Sequence, residues 1–231
     1  MQFRENISSM REVREIAIAD AVLILAFTLT LSGGVFLASS SSFSKDFIYL
    51  LPIVALGVTL SFVLHELMHK FVAQHYGAIA GFRTSPNGLL ITLLTGMFGF
   101  LLGIPGATVI YASSFTRKEN GIVSLAGPLT NFVVFMAFLV AGLALNPAPG
   151  SYLASTISFV LFISILLAFF NMLPIFPLDG SKVLAWDRRV YLVTMAVIFV
   201  LMIEFTGIPL YDIAFMVIIA LFFSLFYRHV L

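Results

Sequence analysis

The chain consists largely of apolar runs that are long enough, or nearly long enough, to cross a lipid bilayer. The runs lie near residues 17–38, 47–70, 89–110, 121–145, 152–174, 190–204 and 209–227. A membrane-spanning helix needs about 20 consecutive apolar residues. Charged residues make up only 10% of the 231 residues, whereas soluble proteins carry roughly 25%. The sequence therefore predicts a multi-pass membrane protein, and we expect residues 1–231 to form one domain within the lipid bilayer.

Composition excludes several other classes of protein. The net charge is +1 and no basic stripe stands out, so we expect no nucleic-acid partner. The absence of cysteine excludes disulfides, thiol catalysis and thiolate metal ligands. The first 20 residues lack the apolar core and cleavage site of a signal peptide. Within them, Ser9 and Glu12 match a capping box that would begin a helix. The sequence does not indicate an oligomeric state.

One of the apolar runs, residues 89–110, differs from the others. Its uninterrupted apolar part covers only residues 89–104, and it contains the helix-disrupting residues Gly96, Gly99, Gly103, Pro105 and Gly106. Irregular backbone at membrane depth is tolerated where protein or a water-filled cavity surrounds it. We therefore expect a re-entrant or hairpin segment here and not a straight span.

The positions of the basic residues support the same interpretation, because lysine and arginine accumulate in cytoplasmic loops. If the N-terminus is cytoplasmic and residues 89–110 return to the side they left, 11 of the 12 basic residues face the cytoplasm and only Lys45 lies outside. If that segment crosses, the split is five inside and seven outside. The expected fold is an all-α cell-membrane protein of about six transmembrane helices, with a re-entrant or β-hairpin segment near 82–115 and both termini cytoplasmic.

A His-Glu-x-x-His pattern lies inside the second run. His65 and His69 are four residues apart, so on a helix both imidazoles share one face and can bind one ion. Glu66 projects from the adjacent face, where it can take a proton from water whose pKa zinc lowers to roughly 7. The alternative is a pair of buried histidines that contact a glutamate in a helix bundle. Ionisable residues inside a span are costly and usually functional, which favours the metal.

A catalytic zinc ion normally has three protein ligands, so the two histidines need a partner. Without cysteine, the partner must be a carboxylate or another histidine. Most acidic residues are explained as charges at span ends, and His75 lies beyond the span. Asp179 differs because it follows Pro174 and Pro177, which interrupt a helix that enters the cytoplasmic leaflet. Gly180 permits close backbone approach there. The alternative for Asp179 is the cap of a proline-terminated helix.

Three motifs in this order resemble the site-2 protease family of intramembrane zinc metalloproteases. They are the 65–69 run, residues 126–131 with the spacing Gly-x-x-x-Asn, and residues 171–180 with Asn-x-x-Pro followed by Leu-Asp-Gly; together they cover about a tenth of the chain. The resemblance implies that His65, His69 and Asp179 ligate zinc and that Glu66 is the catalytic base. It also implies that Asn171 binds the substrate backbone or stabilises an oxyanion.

Asn131 is a further candidate for substrate binding on the strength of the same resemblance. A helix-packing contact, in which Gly127 allows close approach and Asn131 supplies a polar interaction, is an equally good interpretation. Met68 stands where many relatives have glycine. Because this position is not a ligand, the departure bears on helix packing and not on the metal site.

The resemblance implies a zinc-dependent endopeptidase whose partner is a membrane-embedded protein substrate. Such an enzyme cleaves within, or at the edge of, a transmembrane helix, as in regulated intramembrane proteolysis. Residues 82–115 would pair with the unwound substrate by strand addition. None of the loops is long enough for an inserted PDZ-like domain.

Two other interpretations compete with the protease. A transporter or metal-ion permease would use His65, Glu66 and Asp179 as an ion relay. Against it, the chain shows no evident internal repeat, and a relay gains nothing from the Asn-Pro-Asp-Gly grouping. An inactive family member that serves as a scaffold would not need the intact Glu66.

Overall fold

The computed structural model describes residues 2–36, 40–112 and 114–230 and is predominantly helical. In chain order the elements are α1 Gln2–Leu31, α2 Ser40–Val58, a π-helical turn Thr59–Val63, α3 Leu64–His75, β1 Ile79–Thr84, α4 Pro86–Met97, β2 Gly106–Tyr111, α5 Arg117–Leu145, α6 Tyr152–Asn171, α7 Asp179–Trp186, α8 Arg188–Thr206 and α9 Leu210–Val230.

Four helical stretches in the described part of the chain are long and apolar enough to cross a bilayer. They are Phe43–His75, Arg117–Leu145, Tyr152–Asn171 and Arg188–Thr206. The first is continuous because α2, the π-helical turn and α3 follow one another without a break. These stretches confirm a multi-pass membrane protein and coincide with four of the apolar runs.

The count of six spans is not confirmed, because the first and last predicted runs are not among the four helical stretches that, within the described residues, are long and apolar enough to cross. Gly33 and Gly34 adopt positive φ angles of 88° and 76° after α1, which ends at Leu31. Left-handed glycine is a common helix terminator. The predicted run 17–38 is thus cut short, and its residues 37 and 38 lie outside the described residues. α9, Leu210–Val230, covers most of the last predicted run, and Ile213–Phe222 is its apolar stretch among the described residues.

The segment after α3 forms two strands, and the second strand returns alongside the first. β1 and β2 pair antiparallel, with Ile79 opposite Tyr111 and Thr84 opposite Gly106. The helix between them, α4, has 12 residues, which gives a length of about 18 Å, well short of the ~30 Å hydrocarbon core. The β-hairpin predicted near 82–115 is therefore present, and its geometry does not agree with a straight span over 89–110.

Two glutamates of α1 hold the outer edge of this hairpin. Glu12 accepts hydrogen bonds from the Phe82 N–H at 3.2 Å and from Lys70 Nζ at 2.6 Å. Glu15 accepts one from the Thr84 N–H at 3.0 Å. Although partial burial acts to raise it, this N–H and the nearby arginines keep the pKa of Glu15 below its ordinary value. The capping box predicted at Glu12 is wrong, because α1 already begins at Gln2 and the Glu12 carboxylate contacts the hairpin instead.

The buried apolar side chains form two main clusters that meet on α6. The N-terminal cluster joins α1, α2, the π-helical turn, β1 and α6 through Ile16, Ala19, Leu23, Val54, Val58, Phe62, Phe82 and Ile163. The C-terminal cluster joins α5, α6, α7, α8 and α9 and includes Phe135, Ile165, Phe169, Met172, Val183, Ile198 and Met202. Because α6 contributes to both clusters, it is the central helix of the bundle.

Cysteine-scanning accessibility tests the return of the hairpin, and the natural chain has no cysteine to interfere. Gln74 and Lys118 are exposed on either side of the hairpin, and Ala148 is exposed beyond α5. We expect a membrane-impermeant maleimide to label Gln74→Cys and Lys118→Cys from the same side of the membrane and Ala148→Cys from the opposite side. Labelling of Gln74→Cys and Lys118→Cys from opposite sides would show that the segment crosses.

Candidate metal centre

Three buried side chains converge at the end of the bundle where α3 meets α7. His65 Nε2 and His69 Nε2 are 3.0 Å apart, because residues four apart in α3 share a face. Asp179 Oδ2 lies 3.4 Å from His65 Nε2 and 3.0 Å from His69 Nε2. The exposed fractions of the three residues are 4%, 8% and 8%. One donor atom from each lies within 4.8 Å of the others.

Asp179 reaches the histidines because the chain breaks after α6. α6 ends at Asn171, a non-helical stretch with Pro174 and Pro177 follows, and α7 begins at Asp179. A Cβ on Gly180 would overlap the carbonyl oxygen of Met172, so glycine alone allows α7 to start this close to the end of α6. The close approach predicted for Gly180 is confirmed. Asp179 is not a helix cap, because Leu178 occupies the N-cap position of α7.

One face of α5 lies beneath the histidine pair. The carbonyl of Val123 accepts a hydrogen bond of 2.8 Å from His69 Nδ1. A carbonyl can only accept, so Nδ1 carries the proton and the lone pair of Nε2 is free to bind a metal. Four residues later, a Cβ on Gly127 would lie 2.5 Å from both Nε2 atoms. Glycine therefore provides the space in which the imidazoles meet the carboxylate.

Asn131 lies one further turn along this face of α5 and is completely buried. Neither its amide oxygen nor its amide nitrogen has a hydrogen-bond partner within the described part of the chain. The same holds for His65 Nδ1. Buried polar atoms are normally hydrogen-bonded. A pair of orphaned amide atoms on the face that carries Gly127 is thus unusual, and the predicted role of Asn131 in substrate binding stays a prediction.

Glu66 lies in the first turn of α3, and its carboxylate is held by strand β2. The Thr108 N–H and the Thr108 hydroxyl donate to Glu66 Oε2 at 2.9 Å and 2.8 Å. The same hydroxyl lies 3.1 Å from the backbone oxygen of Glu66. Glu66 is itself buried, with an exposed fraction of 9%. The carboxylate of the candidate base is therefore held by the hairpin.

Basic side chains compensate the acidic groups around the histidines. Lys182 Nζ lies 3.6 Å from Asp179 Oδ1, the oxygen on the far side from the imidazoles. Lys70, which follows His69, forms an ion pair with Glu12 at 2.6 Å. Each lysine thus pairs with a buried carboxylate, while Asp179 Oδ2 points toward the two Nε2 atoms.

The other residues considered in the sequence are placed less decisively. Asn171 is only partly buried, and its amide nitrogen donates to the Leu167 carbonyl of its own helix at 3.0 Å. Its predicted role in substrate binding stays a prediction. His75 is exposed at the end of α3 and stacks edge-on against Tyr76, as expected for a residue beyond the span.

Sequence reasoning missed Thr108, Val123 and Lys182, which hold Glu66, His69 and Asp179 respectively. No motif signals the first two, because their contacts connect residues 42 and 54 positions apart in the chain. The spacing of Asp179 and Lys182 did carry a signal. Residues three apart at the start of a helix are neighbours, and an acid–base pair there orients the carboxylate.

The donor set fits a zinc ion. Zinc in catalytic sites is bound by three side chains, commonly two imidazoles and a carboxylate, and one position stays open. His65, His69 and Asp179 provide this set in a buried place. The Val123 carbonyl fixes the Nδ1–H tautomer of His69, and no side chain at Gly127 fills the centre.

Comparison with known proteins finds relatives described as zinc metalloproteases. A protein of Methanocaldococcus jannaschii named "Putative zinc metalloprotease MJ0611" is 40% identical over 169 residues, which cover 73% of this chain and 86% of the relative. YwhC of Bacillus subtilis, with the same description, is 27% identical over 58% of this chain and 68% of the relative. Rip2 of Mycobacterium tuberculosis, described likewise, is 32% identical over 57% of this chain and 55% of the relative. No protein-family model and no solved structure matches the chain.

Replacement of Gly127 by alanine tests the packing beneath the histidines. The added methyl group would lie 2.5 Å from both Nε2 atoms, so the imidazoles must move apart. We expect Gly127→Ala to lower zinc affinity by roughly tenfold or more, which is the size of effect seen when the surroundings of metal ligands are disturbed. The measurement is zinc content by elemental analysis after dialysis against a weak chelator.

The matched control is Gly142→Ala in the same helix, where the methyl group would meet only Ile157 Cγ2 at 3.2 Å. We expect this variant to retain zinc like the natural protein. Equal zinc content in Gly127→Ala and Gly142→Ala would contradict the role assigned to Gly127.

Proposed function

We propose that this chain, which belongs to the site-2 protease family of zinc metalloproteases, hydrolyses peptide bonds within or at the edge of transmembrane helices of other proteins. The observation that carries the proposal is the convergence of His65, His69 and Asp179 beside Glu66, at the end of a membrane-spanning helix. A zinc ligand set inside a multi-pass membrane protein supports cleavage of a substrate that is itself embedded in the membrane.

In this proposal His65 Nε2, His69 Nε2 and one oxygen of Asp179 would hold the zinc cofactor. A zinc ion held there would supply Lewis-acid chemistry toward the scissile carbonyl and the attacking water. The protein orients these ligands through contacts of its own. Val123 fixes the tautomer of His69, and Lys182 holds the other oxygen of Asp179.

Glu66 is the general base and then the general acid of the proposed reaction. Its carboxylate takes a proton from the attacking water and delivers it to the leaving amine nitrogen, so that the bond between carbonyl carbon and nitrogen breaks without a charged amide leaving group. Because it sits next to His65 in the first turn of α3, the carboxylate is in the neighbourhood where the water must react. Its burial excludes competing solvent.

Asn131 is the better supported of the two asparagines as a substrate-binding residue. Its buried amide has unused donor and acceptor atoms, which a substrate peptide group can satisfy. Asn171 would have to give up its hydrogen bond to the Leu167 carbonyl before its amide nitrogen could donate to substrate or to an oxyanion. Asn171 is thus proposed on the family resemblance, and Asn131 on the resemblance and its burial together.

Strand addition to the hairpin is constrained by the acceptors already in place. The N–H groups of Phe82 and Thr84 donate to carboxylates of α1, and that of Thr108 donates to Glu66. In an antiparallel pair every second residue directs its N–H away from the partner strand, and Phe82, Thr84 and Thr108 are such residues. β1 is therefore blocked by α1, and Thr108 of β2 is occupied by Glu66, so we propose that a substrate strand pairs with the part of β2 that lies beyond Thr108.

The proposed location is the cell membrane, with both termini and the metal centre on the cytoplasmic side. The charge distribution supports this orientation. Contacts between the N-terminal part of the chain and the region of the histidines also support it, since Glu12 contacts Lys70 and the hairpin, and Asp179 contacts His69. A membrane-tethered protein is the proposed partner.

A transporter that uses the same polar residues is less well supported. A relay needs titratable groups spaced along a path, whereas here the three ligand atoms face a single point. The relatives are also described as zinc metalloproteases and not as transporters.

Removal of the base tests the proteolytic chemistry. We expect Glu66→Ala to lower the rate of cleavage of a model single-span substrate in proteoliposomes by about 10²- to 10⁴-fold, because general base catalysis is lost. Zinc content should not change, since Glu66 is not a ligand. The control is Glu204→Ala, which removes an exposed carboxylate of α8 and should cleave like the natural protein. Cleavage that survives Glu66→Ala at the natural rate would reject the proposed function.

Removal of the carboxylate ligand tests the metal site separately. We expect Asp179→Ala to lower zinc affinity by at least about tenfold, because a three-ligand site becomes a two-ligand site. Asp187→Ala is the matched control, as Asp187 caps α8 and has no contact with the histidines. Elemental analysis after dialysis gives the zinc content, and gel filtration in detergent shows whether the fold survives. Full zinc content in Asp179→Ala would exclude Asp179 as a ligand.

A further inference from the structure

Strand β2 carries a side chain that contacts the proposed base directly. Thr108 donates twice to one oxygen of Glu66, through its N–H at 2.9 Å and through its hydroxyl at 2.8 Å. We propose that Thr108 is a positioning residue for the reaction. It holds Glu66 Oε2, so that Oε1 is the oxygen left to accept the proton of the attacking water. The inference rests on the proposed function, because it assigns a role to Thr108 only through Glu66.

The hydrogen bonds give the two carboxylate oxygens of Glu66 different roles. A carboxylate that rotates freely offers either oxygen to the attacking water, and only some of its orientations are productive. Two donors on Oε2 fix the plane of the group and occupy that oxygen, and Thr108 does not engage Oε1. Oε1 is therefore the oxygen that accepts the proton. A glutamate has three side-chain torsions, so without such a contact its carboxylate would sample several rotamers.

The hydroxyl of Thr108 is not explained by the needs of the strand. β-branched residues favour strands because of their shape, and valine meets this need equally well. The two residues that follow, Val109 and Ile110, are indeed apolar and β-branched. A hydroxyl at position 108 adds only the ability to donate a hydrogen bond, and the acceptor in reach is the carboxylate of Glu66 together with its backbone oxygen. The side chain thus has a chemical function beyond strand formation.

The contact also connects two parts of the protein that are distant in sequence. Glu66 lies on α3 and Thr108 lies 42 residues later, beyond α4. On the opposite edge of the hairpin, Glu12 and Glu15 of α1 accept from β1. The hairpin is consequently held from both sides, and the position of the Thr108 hydroxyl is determined by contacts on both edges.

Two substitutions at position 108 separate positioning from structure. Thr108→Val keeps the shape of the side chain and removes the hydroxyl, whereas Thr108→Ser keeps the hydroxyl and removes a methyl group. With the model single-span substrate, we expect Thr108→Val to lower kcat by about tenfold with KM changed by less than about twofold. Thr108→Ser should retain kcat within about twofold of the natural protein. The control Thr156→Val removes a hydroxyl that bonds only to the Tyr152 carbonyl in α6, and its kcat should not change.

Two measurements that do not depend on activity accompany the kinetics. Zinc content should be equal in the natural protein, Thr108→Val and Thr108→Ser, because Thr108 touches no proposed ligand. Hydrogen–deuterium exchange of the peptide that contains Thr108 should be faster in Glu66→Ala than in the natural protein, because the Thr108 N–H loses its acceptor. Unchanged exchange in Glu66→Ala would show that the contact does not hold the carboxylate and would overturn the inference.

The outcomes distinguish this inference from the proposed function. If the natural protein cleaves in a Glu66-dependent manner but Thr108→Val keeps the natural kcat, positioning by Thr108 is rejected and the protease stands. Equal losses in Thr108→Val and Thr108→Ser, or a change confined to KM, also reject it, because the effect would then not follow the hydroxyl. If the natural protein and Glu66→Ala behave alike, the proposed function itself has failed.

Discussion

Extended backbone inside an apolar helix bundle must find hydrogen-bond acceptors within the protein, and this constraint governs the region around the metal centre. In a membrane the unsatisfied N–H groups of a two-stranded hairpin would each cost several kcal/mol, on the order of the penalty for any buried polar group. Here three of these N–H groups donate to glutamates. Glu12 and Glu15 serve β1, and Glu66 serves β2. The requirement that permits the hairpin therefore also fixes the side chain proposed as the base.

Glycine determines how closely the elements that carry the ligands can approach. Gly127 lets α5 pass beneath the imidazoles of α3, and Gly180 lets α7 begin against the carbonyl of Met172. Membrane helices that pack through small residues gain contact without a hydrophobic driving force between them. Gly127 contacts the two histidines of the site, and Gly180 contacts Met172, which begins the turn that leads to Asp179. The same packing that stabilises the bundle thus brings two histidines and an aspartate from separate elements to one point.

Local sequence patterns were sufficient to predict the metal ligands but not the residues that contact them. His65 and His69 could be predicted because a spacing of four residues has a fixed meaning on a helix, and Asp179 because prolines and glycine mark an interrupted helix. The hairpin followed from its glycine content and from the positions of basic residues. The partner of Glu12 could not be predicted, since its contact with Phe82 spans 70 positions. The early end of α1 was hidden because averaged hydropathy does not register the left-handed pair Gly33 and Gly34.

The candidate metal ligands lie on elements that belong to different hydrophobic clusters. The histidines lie on α3, which continues from helices of the N-terminal cluster, whereas Asp179 begins α7, whose Val183 belongs to the C-terminal cluster. An ion bound by all three is therefore a cross-link between the two clusters. By thermodynamic linkage, any opening of the bundle that separates the clusters must weaken the ion's binding, and loss of the ion must ease that opening. Metal occupancy is consequently also a measure of how firmly the two halves of this protein are closed.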